Sequence, residues 1–385
     1  MRGVALALHR LLVSLAGAGN LVWSPYSVAA ALGLAGMGAA GPTRAEFEEL
    51  LGELTELASV LRAATFPTGP ALPELAVANA LWLPPELAPR PEYLAGLLSW
   101  PGGAVHTGDF RRDPDGVRLA INAQVEKVTH GLVRELLGAG DVDAGTRAVL
   151  VNALWLKVAW AEVFAASATR PVPFHAPAGM RLVPTMHATR SLPYAAAGGW
   201  RAVTLATTGA ATDGVAGGVV VDLLLPDGDL TTAERVLTPE LLADLGAGRT
   251  AYVDLAVPRF RVTARAALQT LLPALGLVRA FTDDADFSGL LGGEPPDAGL
   301  LRAGSRTAGP RTAGPLKLDR VVHQAVLTVD EHGLEGAAAT AVTMRLAAAV
   351  QRPAPLPFHV DRPFLVLVRH VPTGAIYFLA RVTEP

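Results

Sequence analysis

The chain has 385 residues and a net charge of −3, with 51% apolar and 17% charged residues, which suffices for a large core and excludes a disordered chain. Because there is no cysteine, disulfides and thiolate chemistry are excluded, and the near-neutral charge offers no basic surface for nucleic acid or membranes. No HExxH spacing is present, so we expect no metal and no cofactor.

The N-terminal segment is predicted to be an amphipathic helix. His9 and Arg10 interrupt the apolar run that a signal peptide would need, and no run is long enough to span a bilayer. The apolar residues that recur at helical spacing are Val4, Leu8, Leu11, Leu12 and Leu15. The sequence favours an intracellular protein, with an extracellular role left open.

A buried helix is predicted next. After the short strand Leu-Val-Trp, Ser24 is placed to cap a helix whose first residue is Pro25. Small and apolar residues occupy nearly every face of this helix through Met37, so it is predicted to be buried on all sides. Residues 43–46, Thr-Arg-Ala-Glu, match a capping box and predict another helix through Leu51.

The middle of the chain alternates between strands and helices. Strands are predicted at 76–83 and 148–160, with a helix at 91–98 and a longer one at 117–137. Both alternating faces of 148–160 are apolar, which predicts a strand that is covered on both sides.

The second half is richer in strands. The pattern predicts short strands with Gly-rich turns over 181–225, an alternating strand at 252–262 that crosses Pro258, a helix at 266–275, and closing strands at 363–369 and 375–382. Residues 292–315 repeat RTAGP and predict a disordered surface insertion. Without βαβ alternation, the α+β class is favoured.

Seven stretches of the chain form a recognisable set: NLVWSPYSVAAALGLAGMGA, INAQVEKVTHG, VNALWLKVAW, VPRFRV, LGLVRAFTDDADFSGL, VVHQAVLTVDEHGLEGAAATAV and FHVDRPFLVLVRHVPTGAIYFLARVTEP. Together they resemble the serpin family, the serine-protease-inhibitor fold, in the family's order and over nearly the whole chain.

The resemblance implies one domain over 1–385, with three β-sheets, about eight or nine helices and an exposed reactive loop with its hinge at 329–358. It further implies an inhibitory member, which we expect to be prokaryotic, and a monomer that is not an enzyme. Such a protein is a suicide substrate: it forms a covalent acyl complex with a serine protease and inserts the cleaved loop into the main sheet. A non-inhibitory serpin that carries a ligand or acts as a chaperone is the alternative.

The loop is suited to insertion because, beyond a hinge at Glu331, its side chains alternate between a small or apolar face that can be buried and a second face on which Glu335 can stay at the surface. One face holds Leu334, Gly336, Ala338, Thr340 and Val342, and the other holds Gly333, Glu335, Ala337, Ala339 and Ala341. Leu334 stands where inhibitory relatives usually have Thr or Ser, and Gly336 where Ala is usual. The loop is also about five residues longer than in common relatives.

The extra length leaves the reactive bond open. Counting forward from Glu331 places it between Ala347 and Ala348, whereas counting backward from 363–364 places it after Arg352. The forward count is preferred, because Pro353 follows Arg352 and proteases of the trypsin type cleave such a bond poorly. A small residue favours an elastase-like or subtilisin-like target. The near alternatives are Leu346 and Arg345, the latter for a trypsin-like target.

Two further groups match family positions. A polar cluster beneath the middle of the main sheet, predicted to form a buried hydrogen-bonded network, comprises Ser24, Ser27, Asn152 and His323. At the top of that sheet, Glu331 and Arg259 match a salt bridge and Trp160 a nearby tryptophan. A hydrolase triad is the enzymatic alternative, but the sequence has no GxSxG elbow.

Overall fold

The structure is a computed structural model that describes residues 2–66, 74–208, 218–291, 316–334 and 354–385. Within these ranges the chain forms eight α-helices and fifteen strands, which confirms the α+β class. The insertion predicted at 292–315 lies outside the described residues. The helices are α1 (Arg2–Ala16), α2 (Pro25–Met37), α3 (Gly41–Leu51), α4 (Leu54–Ala63), α5 (Pro91–Leu97), α6 (Pro114–Val128), α7 (Leu230–Val236) and α8 (Pro239–Leu245).

The strands come mostly from the second half. They are β1 (Leu21–Trp23), β2 (Glu74–Leu83), β3 (Gly103–Thr107), β4 (Val149–Ala159), β5 (Arg170–Ala176), β6 (Gly179–Ala197), β7 (Trp200–Ala206), β8 (Val219–Pro226), β9 (Arg249–Pro258), β10 (Phe260–Ala267), β11 (Arg320–Val329), β12 (Gly333–Leu334), β13 (Leu356–His359), β14 (Phe364–His370) and β15 (Ile376–Val382). None of the helices in the described ranges is long and apolar enough to cross a membrane.

Three sheets organise the described strands. The main sheet has the order β10-β11-β12-β4-β2-β3. The other strands form a path β1-β15-β14-β8-β7-β6-β9-β13, with β5 also paired to β6. The long strand β6 divides this path, because residues 179–194 pair with β5 and β9 whereas residues 194–197 pair with β7. One of the two resulting sheets therefore ends at β13, which directly follows the predicted reactive loop.

Helix α2 packs against one face of the main sheet, at β2 and β4, and also against β15. Nearly every residue of α2 is buried, as predicted, and Ser24 caps it by accepting a hydrogen bond from the Ser27 backbone N–H. On the other face, Ile121 and Val125 of α6 join a cluster with Val151 and Ala153. The lower part of β4 is therefore covered on both sides, as its two apolar faces predict.

The capping box predicted at residues 43–46 is wrong. The N-cap of helix α3 is Ala40, three residues before Thr43, and Ala40 provides no side-chain cap. The Thr43 hydroxyl instead accepts a hydrogen bond from the backbone N–H of Asp286 at 3.0 Å. The Glu46 carboxylate accepts from two backbone N–H groups at 278–279. Both side chains therefore serve long-range contacts that a local motif cannot reveal.

Four other predicted elements differ from those in the structure. Helix α6 ends at Val128 instead of Leu137, because His130 and Gly131 have positive φ angles of 50° and 83°. The strand predicted across Pro258 is interrupted at 259, where the chain passes from β9 to β10 in another sheet. In place of the helix predicted at 266–275, the structure has the end of β10 followed by two short 3₁₀ turns. The first of the short strands predicted over 181–225 is part of the nineteen-residue strand β6.

Candidate functional site

Strands β4 and β11 of the main sheet pair with each other in one half of the sheet and separate in the other half. In its lower half β11 pairs directly with β4, in parallel, over residues 320–324 and 149–153. At its top the two-residue strand β12 lies between them: Leu334 pairs with Val329 on one side and with Val158 on the other. Leu334 is completely buried and belongs to the main core. The start of the predicted reactive loop therefore already forms a strand between β4 and β11.

The turn that leads into β12 is fixed by hydrogen bonds of both backbone and side-chain groups. The Asp330 N–H donates to the Gly333 carbonyl at 3.1 Å, and the Asp330 carboxylate accepts from the N–H groups of His332 and Gly333. Trp160 donates twice, from Nε1 to the Asp330 carbonyl at 2.8 Å and from its backbone N–H to the His332 carbonyl at 2.9 Å. The turn is thus tied to the end of β4.

Gly333 is required by the close approach of this turn to β4. Its φ of 153° lies in the region that favours glycine, and a Cβ atom there would come within 2.0 Å of the Val158 carbonyl oxygen. Any side chain at 333 would therefore push β12 away from β4.

The carboxylate of Glu331 connects the turn to two residues outside it, Thr169 and Arg259. It accepts a hydrogen bond from the Thr169 hydroxyl at 2.6 Å and lies 3.3 Å from Arg259 Nε. Burial alone would raise the pKa of Glu331, but the Thr169 hydrogen bond and the positive charge of Arg259 outweigh burial and lower that pKa. The carboxylate is almost buried whereas half of the guanidinium is exposed, so the contact fixes position more than it adds stability.

The predicted polar cluster is present as a buried network beneath the point where β4 and β11 meet. The Ser24 backbone N–H donates to His323 Nε2 at 3.0 Å, so His323 carries its proton on Nδ1 and donates to Asn152 Oδ1 at 2.8 Å. The Asn152 amide then donates to the Ser27 carbonyl at 2.7 Å and to Asn79 Oδ1 at 2.6 Å. His323 and Asn152 are register partners, so this bond joins the two strands directly.

Sequence reasoning missed two residues of the site, Asn79 in the buried network and Thr169 beside the Glu331 carboxylate. Asn79 is fully buried in β2 and is the register partner of Asn152. Its signal was an amide within an otherwise apolar strand, since such a group needs a buried partner. Ser27 contributes only its backbone, because its hydroxyl has no hydrogen-bond partner in the part of the chain that the structure describes.

Complete burial lowers the pKa of His323 from 6.5 to about 3, so the side chain stays neutral in the folded protein. The unfolded chain binds this proton near pH 6.5. We therefore expect the free energy of unfolding to fall as the pH drops below 6.5 towards 3, by up to about 1.4 kcal/mol per pH unit from this group. Urea denaturation at neutral pH and at about pH 5 measures the slope. His323→Gln should remove this part of it, and an unchanged slope in the variant would show that another group is responsible.

The predicted reactive-bond residues Arg345, Leu346, Ala347, Ala348 and Arg352 lie outside the described residues, as do Gly336, Ala337, Ala338, Ala339 and Thr340 of the predicted hinge. The structure brings together the other predicted positions at the top and the middle of the main sheet. Among the described residues, no group of three His, Asp or Glu side chains is arranged to hold a metal ion.

Comparisons with known proteins identify one family over the whole chain. The family model described as serpin (serine protease inhibitor) matches residues 1–385. A leukocyte elastase inhibitor of Bos taurus is 30% identical, with 96% of this chain and 94% of that protein covered. An uncharacterized serpin-like protein of Thermococcus kodakarensis is 31% identical over 95% of this chain and 81% of its own length.

Two solved structures share the fold over the whole chain. A thyroxine-binding globulin in complex with thyroxine has a TM-score of 0.81 at 25% identity and is covered over 98% of its length. Uncleaved ovalbumin has a TM-score of 0.82 at 22% identity, also with 98% covered.

Proposed function

The chain belongs to the serpin family, and on that premise we propose that it inhibits serine-type endopeptidases as a suicide substrate. Serpins are protease inhibitors rather than enzymes, and a relative at 30% identity is a leukocyte elastase inhibitor. The protease would cleave the reactive loop and remain bound as a covalent acyl-enzyme. The loop would then enter the main sheet, in the mode of strand addition known for serpins, and would carry the protease with it.

The observation that carries this proposal is the position of β12. Leu334 already lies between β4 and β11 with backbone pairing on both sides, and Gly333 pairs with β4. Below them the two strands pair directly only as far up as Ala153 and Gln324. A loop released by cleavage could therefore extend an existing strand, which avoids the cost of starting a new one.

Extending the register of β12 predicts the partners of the inserted loop. Counting down from Leu334 places Ala338 between Ala325 and Leu154, and Thr340 between His323 and Asn152. Because residues two apart share a face, both side chains would point into the main core. The Thr340 hydroxyl would then lie within the buried network and could replace the bond that joins His323 to Asn152.

The free energy available from insertion is large enough for this role. Each backbone hydrogen bond added contributes on the order of 1 kcal/mol net, so a strand of this length supplies roughly ten. That is comparable to the whole stability of a typical domain, about 5–15 kcal/mol. Insertion of that strength could move an attached protease and distort its active site before the acyl-enzyme hydrolyses.

We further propose a single domain over 1–385 that acts as a monomer and takes a serine protease as its partner, with the reactive bond between Ala347 and Ala348. A small residue before that bond fits the small pocket of an elastase-like or subtilisin-like protease. Arg345 is the corresponding residue for a trypsin-like protease, which needs a cation.

A non-inhibitory serpin is the second candidate. The observation that favours it is the likeness to thyroxine-binding globulin, whose structure holds thyroxine. Leu334 adds to it, because inhibitory relatives usually carry Thr or Ser there. Leu334 is nevertheless accommodated between β4 and β11, so its side chain does not prevent strand pairing.

A protease panel tests the proposed function. The protein is mixed with elastase-like, subtilisin-like and trypsin-like enzymes and separated on a denaturing gel, where a covalent band containing both chains is expected with one of the first two. Mass spectrometry of the released C-terminal peptide should place the bond after Ala347. Loop cleavage without any covalent band, across the panel, would favour the non-inhibitory candidate.

A further inference from the structure

A cavity of about 390 Å³ lies between helices α1 and α7. Its walls include Val13 of α1, Ala18 from the turn after α1, and Thr231 and Glu234 of α7. Cavities of about 300–1,000 Å³ are the size that small organic ligands occupy in proteins. None of the described residues that line the cavity belongs to the main sheet, so its use does not depend on the reactive loop.

The buried end of the cavity carries a carboxylate with spare acceptor capacity. Glu234 lines the cavity and is only 4% exposed. Trp23 Nε1 donates to His9 Nδ1 at 3.3 Å, so His9 carries its proton on Nε2 and donates to Glu234 Oε1 at 3.1 Å. Glu234 Oε2 lies 3.0 Å from Arg381 Nε, yet it accepts no hydrogen bond from the part of the chain that the structure describes. Because buried acceptors normally have a hydrogen-bond partner, this oxygen is suited to a donor group of a ligand in the cavity.

Two positive charges lie at the mouth of the cavity. Arg10 and Arg235 both line it and are exposed. Arg10 Nη2 donates to the Leu237 carbonyl at 2.8 Å, which holds the guanidinium beside the end of α7. Among the described residues that line the cavity, Glu234 is the only carboxylate, and Arg381 offsets its charge. The mouth is therefore positively charged and suits an organic anion such as a carboxylate.

We infer that this cavity binds a small hydroxy acid, an organic carboxylate with a hydroxyl group at its opposite end. The carboxylate would lie between Arg10 and Arg235 at the mouth, and the hydroxyl would donate a hydrogen bond to Glu234 at the buried end. The apolar chain between them would contact Val13. A hydroxyl suits the buried end better than an ammonium, because Arg381 already neutralises Glu234 and a second cation would be buried without a partner. The inference goes beyond the proposed inhibition and does not depend on it.

Isothermal titration calorimetry of the intact protein tests this inference with three probes of the same carbon-chain length. The probe 6-hydroxyhexanoate has both groups and should bind with a Kd of about 1 mM or lower. Hexanoate lacks the hydroxyl and 1,6-hexanediol lacks the carboxylate, so each should bind about tenfold more weakly. Equal affinities for all three probes, or no heat of binding up to about 20 mM 6-hydroxyhexanoate, would overturn the inference.

A matched pair of variants locates the bound carboxylate. Arg235→Gln removes an exposed guanidinium from the last turn of α7 and should weaken binding of 6-hydroxyhexanoate about fivefold, with no change for 1,6-hexanediol. Arg62→Gln removes an exposed guanidinium from the last turn of α4, which does not line this cavity, and should leave both affinities unchanged. Unchanged affinity in Arg235→Gln, or an equal loss in Arg62→Gln, would show that the carboxylate binds elsewhere and that the assignment is wrong.

Discussion

Ala338→Arg is expected to convert the protein from an inhibitor into a substrate of the same protease. If the inserted loop continues the register of β12, Ala338 would lie between Ala325 and Leu154, both of which are buried in the main core. An arginine there would bring an unpaired charge into that core, at a cost of several kcal/mol. Because about 1.4 kcal/mol is a factor of ten in rate, we expect the trapped fraction of protease to fall at least tenfold.

The readout is the ratio of covalent complex to cleaved loop on a denaturing gel. Ala354→Arg is the matched control, because Ala354 is exposed and follows the proposed reactive bond, so the proposed insertion would leave it outside the main sheet. It should inhibit as well as the parent. If Ala338→Arg also inhibited as well as the parent, the assignment of Ala338 to the buried face would be wrong.

The second large effect is expected for Asn152→Ala in the uncleaved protein. The substitution leaves two buried groups without a partner, the His323 ring N–H and Asn79 Oδ1, and it removes a second hydrogen bond to the Ser27 carbonyl, which lies within helix α2. At about 1–3 kcal/mol for each of these two groups, the free energy of unfolding should fall by about 2–6 kcal/mol, measured by urea denaturation. Loss of the direct link between β4 and β11 should also promote opening of the main sheet without cleavage.

Ser27→Ala is the control for this prediction. The Ser27 hydroxyl is buried yet has no hydrogen-bond partner among the described residues, so its removal should change the free energy of unfolding by less than about 0.5 kcal/mol. A loss as large as that of Asn152→Ala would contradict the assignment of the hydrogen bonds in this network.

Local rules and the family resemblance together anticipated much of the site. Ser24 before Pro25 is a local signal, and the structure shows the predicted cap. The contact between Glu331 and Arg259 could not be read from spacing, because the two residues are far apart in the chain. It was expected from the serpin resemblance, and the structure places the two charges 3.3 Å apart.

Features that depend on tertiary pairing were not accessible from the sequence. The length of β6 is set by three neighbouring strands, which hold an extended backbone through residues that look like separate strands. The role of Asn79 depends on its register against Asn152. The turn after Glu331 was expected to lead into a free loop, yet Leu334 is already part of the main sheet, because β4 and β11 diverge above Ala153 and Gln324.

The central claim is that the cleaved loop becomes a strand between β4 and β11. Hydrogen exchange followed by mass spectrometry, on the protein before and after a single cut in the loop, tests it most directly. The account predicts slower exchange for every second backbone N–H group at 154–157 of β4 and 325–328 of β11. These are the groups that point towards the inserted strand, because the N–H groups between them point towards β2 and β10. Unchanged exchange at both strands, with the loop fully cut, would contradict it.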